Sequence, residues 1–189
     1  MSPITHCLTG WILANTARLR RRDRILVTAA CVLPDADGLG VLADLVTRGG
    51  RGATEWFGTY HHTFGHNALF ALAAAAAAFA LAARRRTTAA LAFAAVHVHL
   101  LEDVAGARGP DGDPWPIRYL WPFDVSRMWT WDGQWGLNAW PNFLLTAILL
   151  AGTLYLAWRT GDSPVGIVSG RADGAFAAAL RRRFGNPRT

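Results

Sequence analysis

Histidine and carboxylate side chains stand at spacings that suit metal coordination, most clearly in the stretch "HLLED". His99 and Asp103 are four residues apart, so a helix would place both side chains on one face, one turn apart. An imidazole and a carboxylate held in this way can reach one metal ion. His97 would lie about 200° around the same helix from His99, so we expect it to support the site or to contact another helix.

A second stretch, "LPDADG", carries two carboxylates. An extended chain would turn Asp35 and Asp37 to the same side, where they can bind a divalent cation. The alternative is an ordinary aspartate-rich turn closed by Gly38.

The stretch "YHHTFGH" brings three histidines within six residues. Thr63 is predicted as the N-cap of the apolar helix that follows, which would place His66 in its first turn. Helix geometry would pair His62 with His66, whereas a loop would allow His61 instead, and the residue types leave both choices open. His6, near the start of the first apolar segment, completes the candidates.

These ligands are more numerous than one tetrahedral zinc ion requires, and they suit two adjacent ions that share carboxylates. The set is His6, Asp35, Asp37, His61 or His62, His66, His99 and Asp103. We predict two divalent ions, with zinc as the expected metal, that activate water for attack on a phosphoryl or carbonyl group. Asp37 and Asp103 would take part in catalysis, and Glu55 or Glu102 would serve as acid or base.

Three arginines of the long segment between residues 102 and 140 could receive a phosphate group. They are Arg108, Arg118 and Arg127. We favour instead exposure at the surface or pairing with aspartates of the same segment, which are Asp111, Asp113 and Asp124.

The composition indicates a membrane protein. The chain has 189 residues, of which 52% are hydrophobic, and all 19 of its basic residues are arginines. They cluster beside apolar stretches at 18–24, 84–86 and 181–183, as basic residues do at the cytoplasmic ends of membrane spans. We therefore assign the net charge of +6 to membrane topology, and we expect no nucleic-acid partner.

Five apolar segments without strand patterns predict an all-α fold, a multi-pass membrane bundle of about five helices. The segments are 4–17, 25–34, 67–83, 87–101 and 139–158, and a long tryptophan-rich loop precedes the last one. We predict a membrane-embedded domain over residues 1–160 and a polar, arginine-rich tail over 161–189 with one amphipathic turn. A soluble, alanine-rich bundle is the alternative, which the long, charge-free last segment disfavours.

Placing the arginine clusters in the cytoplasm determines the side on which the candidate ligands lie. The opposite ends of the segments carry every histidine and aspartate chosen above, although the topology argument did not use them. We therefore predict a site at the non-cytoplasmic surface of a bacterial or archaeal inner membrane. Six of the nine tryptophans lie between Trp115 and Trp140 on the same side, as interfacial indole rings do.

Taken in order, these stretches resemble the LexA-binding, inner-membrane-associated hydrolases, a family of small membrane proteins. "THCLTG" resembles the family's T-H-x-x-x-G, "LPDAD" its L-P-D-x-D and "HLLED" its H-x-x-x-D. "HHTFGHNALF" resembles its H-R-G-x-T-H-S, and "WPF" its closing aromatic-proline element. The resemblance covers about Pro3 to Asp124, and the chain departs from it at His62, Gly65 and Asn67.

The resemblance implies a metal-dependent hydrolase and selects His61 over His62, because His62 stands where the family has arginine. The implied ligands are His6, Asp35, Asp37, His61, His66, His99 and Asp103. A fainter similarity to zinc-dependent phospholipase C and related single-strand nucleases points to phosphoesters. No residue specifies contact with LexA.

We therefore expect a membrane-bound hydrolase whose partners are membrane lipids and a small-molecule or lipid-linked phosphoester. The alternative is a non-catalytic membrane protein whose metal site joins helices or senses metal. A transporter with a metal site at mid-membrane is disfavoured, because the candidates cluster at helix ends.

Overall fold

The computed structural model describes residues 1–50, 52–109 and 112–187. Within these ranges the chain is helical, and its only extended pairings are two isolated bridges. The predicted all-α class is confirmed. The elements are α1 (Pro3–Ala14), α2 (Arg21–Val32), a 3-10 helix (Leu33–Gly40), α3 (Val41–Thr47), α4 (Trp56–Tyr60), α5 (Ala68–Leu81), α6 (Arg85–Gly106), α7 (Trp140–Thr160), α8 (Val165–Val168) and α9 (Gly170–Phe184).

Three helical stretches are long and apolar enough to cross a membrane. They are Arg21–Thr47 with 27 residues, Arg85–Gly106 with 22 and Trp140–Thr160 with 21. At 1.5 Å per residue the shortest is about 32 Å long, which matches the hydrocarbon thickness of a bilayer. The alanine-rich α5 has 14 residues, so at about 21 Å it is too short to cross alone.

The helix packing depends on small residues. α1, α2, α5 and α6 surround a core in which Ala71, Ala92, Ala95 and Val96 are fully buried. At Gly10 of α1, an added Cβ would lie 2.6 Å from the Cβ of Cys31, so only glycine allows α1 and α2 to approach this closely. Small residues serve this purpose in membranes, where lipid is as apolar as the helices themselves.

The arginine-rich ends of the helices meet at one end of the bundle. The buried carboxylate of Asp23, at the start of α2, accepts the backbone N–H groups of Ala83 and Arg84 at 2.9 Å each. Arg24 pairs with Asp162, just after α7, at 2.8 Å. The starts of α2 and α6 and the ends of α5 and α7 therefore lie together, whereas His99 and Asp103 lie near the opposite end of α6.

The predicted N-cap of α5 was wrong. Asn67, and not Thr63, caps the helix, because its Oδ1 accepts the N–H of Phe70 at 2.8 Å. The same amide donates to the carbonyls of Thr63 and Phe64 at 2.7 and 2.9 Å, which closes a turn before the helix. His66 therefore lies in this turn and not in the first turn of α5.

The described part of the tryptophan-rich segment 107–139 is irregular but ordered by contacts. Ile117 is fully buried and exchanges two backbone hydrogen bonds with Trp129, at 2.9 and 2.8 Å. Tyr119 stacks on Trp129 and accepts the N–H of Ala68 at 2.9 Å through its carbonyl. The segment is therefore attached directly to the start of α5.

The C-terminal tail is more regular than the single turn predicted. α9 has 15 residues and packs on α7, where Arg181 donates to the carbonyl of Trp158 at 3.1 Å. The division of the chain at residue 160 stays a prediction.

Candidate metal centre

The pair predicted on α6 forms the middle of the centre. His99 and Asp103 are buried on the same helix face, and Nε2 of His99 lies 3.1 Å from Oδ2 of Asp103. Nε2 of His66 lies 3.3 Å from the same oxygen, and Nε2 of His6 lies 3.3 Å from the other oxygen of Asp103. Asp103 therefore contacts histidines from three separate parts of the chain.

Three histidines are oriented by a partner on the far side of the ring. Nδ1 of His99 donates to the carbonyl of Cys31 at 2.8 Å, and Nδ1 of His6 donates to Glu102 at 2.7 Å. Nδ1 of His66 donates to Asp37 at 3.0 Å. Each Nε2 therefore carries a lone pair directed at Asp103. Histidines that bind metals have such an outer partner, which sets the tautomer and the ring angle.

The two aspartates of "LPDADG" have different positions. Asp35 faces the centre, with Oδ1 3.7 Å from Nε2 of His99 and Oδ2 3.9 Å from Nε2 of His6. Asp37 accepts from His61 at 2.8 Å and from His66 at 3.0 Å, and it belongs to neither group of convergent ligands. The expectation that both point to one side was wrong, because residues 33–40 form a 3-10 helix and not an extended chain.

The turn before α5 brings His62 to the centre. His62 is 4% exposed, and its Nε2 lies 3.8 Å from Asp103 Oδ2. Its backbone has φ = 66°, a left-handed conformation that costs a non-glycine residue about 1–3 kcal/mol and clusters at functional sites. His61, the ligand that the family resemblance implied, lies outside both ligand groups and stacks on Phe57.

The convergent side chains form two groups that share Asp103. One is His6, Asp35, His99 and Asp103, and the other is His62, His66 and Asp103; in each, the ligand atoms lie within 4.8 Å of one another. Nε2 of His66 and Nε2 of His99, which belong to different groups, lie 3.0 Å apart, so the two groups adjoin each other.

Several atoms of the centre are buried without a partner. In the part of the chain that the structure describes, no hydrogen bond reaches His6 Nε2, His62 Nδ1, Asp35 Oδ2 or Asp103 Oδ2. Buried polar atoms nearly always have a partner. Imidazole nitrogens and carboxylate oxygens are ligands for a divalent cation, so the donor set fits one.

Burial favours the neutral form of His62 and His66. Burial lowers the pKa of His62 well below its usual range, and the neighbouring His66 acts in the same direction. Burial also lowers the pKa of His66, although its hydrogen bond to Asp37 opposes the change. Neutral imidazole is the form that binds metals.

Other candidates lie outside the centre. Glu55, predicted as an acid or base, is exposed at the start of α4 and belongs to neither group. Glu102 instead orients His6, a role that the sequence did not reveal because 96 residues separate the two. His97 contacts the hydroxyl of Tyr119 at 2.9 Å, so its partner lies in the irregular segment and not on another helix as expected.

The glycine at position 65 and the backbone carbonyl of Cys31 also shape the centre, in roles that the sequence did not reveal. An added Cβ at Gly65 would clash with the backbone of Pro34, so the close approach of the turn before α5 to the 3-10 helix requires glycine at position 65. Cys31 contributes its carbonyl to His99. A cavity of about 280 Å³ adjoins the centre, and the residues that line it include Asp35, Asp103, His62, Phe57 and Trp115.

Apolar helices of membrane-spanning length, with a buried histidine–aspartate centre near one end, define a helical membrane protein with a candidate metal site. The chain belongs to the YdjM inner membrane protein family, whose model matches residues 1–178. No curated protein and no solved structure matches the chain. The family supports the inner membrane as the location.

Proposed function

We propose that the protein is a membrane-bound, metal-dependent hydrolase that acts on a phosphoester through two divalent ions, with zinc as the expected metal. The observation that carries this proposal is the pair of ligand groups that share Asp103. Two ions joined by a carboxylate occur in many enzymes that cleave phosphoesters.

The residues have distinct roles in this proposal. His6, Asp35, His99 and Asp103 would hold one ion, and His62, His66 and Asp103 the other. Asp37 and Glu102 would position histidines from behind. The ions would supply a Lewis acid for a phosphoryl oxygen and would lower the pKa of a water molecule to near neutrality.

The substrate would reach the centre at the membrane surface. The arginine-rich ends of α2, α6 and α7 would face the cytoplasm, so the centre would face the other side, at the depth of lipid headgroups. A lipid-linked phosphoester is therefore the favoured substrate. In a map of cysteine labelling, access to position 66 from the cytoplasm alone would contradict this orientation.

A non-catalytic metal site is the second candidate, and burial favours it. His6, His66 and His99 are each 0% exposed, as ligands of a structural ion often are. The cavity beside Asp35 and Asp103 favours the enzyme, because a catalytic ion needs an open position for water or substrate.

The test combines elemental analysis of the purified protein with a screen of phosphomonoester, phosphodiester and lipid phosphate substrates. We expect bound metal and hydrolysis in the wild type, and loss of both in the double variant His99→Ala, Asp103→Ala. His97→Ala is the matched control, since it removes a histidine of the same helix outside the centre. Full metal content in the double variant would contradict the site, and metal without hydrolysis would favour the non-catalytic candidate.

A further inference from the structure

A second cavity lies beside the metal centre and continues away from it. It has a volume of about 360 Å³ and is lined by residues that include Phe57, His61, His62, Trp115 and Arg118. The cavity next to Asp35 and Asp103 shares Phe57, His61, His62 and Trp115 with it. One wall of aromatic and imidazole rings therefore runs from the candidate ligands to Arg118.

Arg118 is the basic residue of this cavity. Its Nη1 donates to the hydroxyl of Thr63 at 3.0 Å. Within residues 1–50, 52–109 and 112–187, no carboxylate lies within 4.0 Å of its guanidinium. Of the two alternatives expected for Arg118, surface exposure or an aspartate partner, no pairing with Asp113 or Asp124 is found, Asp111 lies outside the described residues, and Arg118 is partly exposed.

The other two arginines of the segment are engaged differently. Arg108 donates to the backbone carbonyls of Gly112, Asp132 and Gln134 and so holds the segment together. Arg127 pairs with Asp124 at 3.4 Å, and its side chain is 81% exposed. Of the three arginines, Arg118 alone lines the cavity that adjoins the metal centre.

The backbone around Arg118 is held in place on both sides. Its neighbour Ile117 is buried and exchanges two hydrogen bonds with Trp129, and its neighbour Tyr119 accepts the N–H of Ala68. A guanidinium on a fixed backbone loses less freedom when it binds an anion, which favours binding.

From this arrangement we propose that Arg118 binds the phosphoryl oxygens of the substrate, while Phe57 and Trp115 contact its organic part. This inference rests on the proposed function, and it names the group that recognises the substrate. The planar guanidinium presents two parallel N–H groups to a phosphate. The rings of Phe57 and Trp115 meet edge to face at 5.7 Å and offer an apolar surface to a hydrocarbon chain or an aromatic group.

Charge supports this assignment. Asp35 and Asp103 face the centre and Asp37 lies behind His66, and these carboxylates would repel an anion that approaches them. Positive charge from bound metal and from Arg118 at the far end of the wall would offset that repulsion along the path of the substrate.

The test measures binding of inorganic phosphate to the full-length, metal-loaded protein in detergent, together with metal content. Compared with the wild type, Arg118→Gln should raise the Kd for phosphate about tenfold or more, because it removes a charge-assisted contact. Arg118→Lys should give a smaller loss, and metal content should stay unchanged in both. Arg127→Gln, in the same segment but outside the cavity, should bind phosphate as the wild type does.

Equal phosphate affinity in Arg118→Gln and the wild type would overturn the assignment. If Arg118→Gln does not fold, Thr63→Val removes only the hydroxyl that orients the guanidinium, and it should raise the Kd about threefold. Unchanged affinity in Thr63→Val would then count against the inference.

Further probes distinguish a lipid from a soluble source of the phosphate group. They also test the binding site separately from the proposed hydrolase activity. Hexyl phosphate should bind more tightly than inorganic phosphate, and this preference should shrink in Phe57→Ala. Vesicles that contain phosphatidic acid should compete with hexyl phosphate if the natural ligand is a lipid, and should not compete if it is soluble; either result agrees with the inference. Phosphate binding through Arg118 in a protein that hydrolyses none of the phosphoesters tested would uphold the binding site and contradict the proposed hydrolase.

Discussion

Nε2 of His66 and Nε2 of His99 lie 3.0 Å apart, and neither nitrogen carries a hydrogen when its ring is neutral. The reason is on the far side of each ring, where Nδ1 donates to Asp37 in one case and to the carbonyl of Cys31 in the other. Two lone pairs at this distance repel each other unless each of them binds a cation. The arrangement of outer partners therefore prepares the centre for metal.

Metal removal should destabilise the protein. Chelation would leave the converging lone pairs of His66 and His99 without a cation, and an ion present at 1,000 times its Kd stabilises the folded state by about 4 kcal/mol. We expect a lower Tm after treatment with chelator and recovery when zinc is added. His99→Ala, which removes a ligand of one of the two ions, should show a smaller difference in Tm, whereas His97→Ala should keep the full difference. An equal Tm with and without chelator in the wild type would show that no ion contributes to folding.

Asp37→Asn should weaken metal binding without abolishing it. Asp37 accepts hydrogen bonds from Nδ1 of His61 and Nδ1 of His66. Loss of such an outer partner typically lowers metal affinity about 10- to 100-fold. Competition with a chelator of known affinity would measure the change. Asp124→Asn is the control, because in the described ranges Asp124 accepts hydrogen bonds from Ser126 and Arg127 of its own turn. If the Asp37→Asn variant binds no ion even at saturating metal, Asp37 is a direct ligand and not an outer partner.

His61 and His62 should differ in metal stoichiometry. Nε2 of His62 lies 3.8 Å from Asp103, while His61 bonds to Asp37 outside both ligand groups. We expect His62→Ala to lose about one of two ions and His61→Ala to keep both with lower affinity, as counted by elemental analysis. The reverse result would support the choice that the family resemblance implied.

Asp23→Asn should unfold more easily while its folded fraction binds metal normally. The buried carboxylate accepts two N–H groups at the junction of α5 and α6, and hydrogen bonds to a charged group contribute about 1.5–3 kcal/mol each. We expect a loss of roughly 3 kcal/mol in the free energy of unfolding, measured with denaturant in detergent. Asp162→Asn, which removes a half-exposed ion pair with Arg24, should cost less than about 1 kcal/mol.

The metal-free protein should lose stability on acidification. The pKa values of His62 and His66 are lowered in the folded state, so the unfolded chain binds more protons below its ordinary histidine pKa of about 6.5. The folded state therefore keeps its full stability above that pH and loses stability as the pH falls below it. Tm measured with chelator between pH 8 and pH 5 should show this decline, and it should be shallower in His62→Gln. A profile in His62→Gln identical to that of the wild type would contradict the assignment.

Features that depend on local spacing could be predicted from the sequence. His99 and Asp103 share a face of α6 because four residues make about one turn of helix, and the last apolar segment is α7 with nearly the predicted bounds. The clustering of arginines at one end follows from where each apolar segment begins and ends. Asn67 as the N-cap was missed because Thr63 and Asn67 are both suitable capping residues, and only the turn between them decides which one is used.

The sequence by itself determined the all-α class, the length of the last span and the types of ligand available. The tertiary structure decided how those ligands divide: Asp35 faces the centre while Asp37 supports His66, and His62 enters while His61 does not. The physical reason is that these side chains come from a 3-10 helix and a turn, whose directions depend on the close contact between Gly65 and Pro34. The partnership of His6 with Glu102 likewise depends on how α1 packs against α6, which no local spacing specifies.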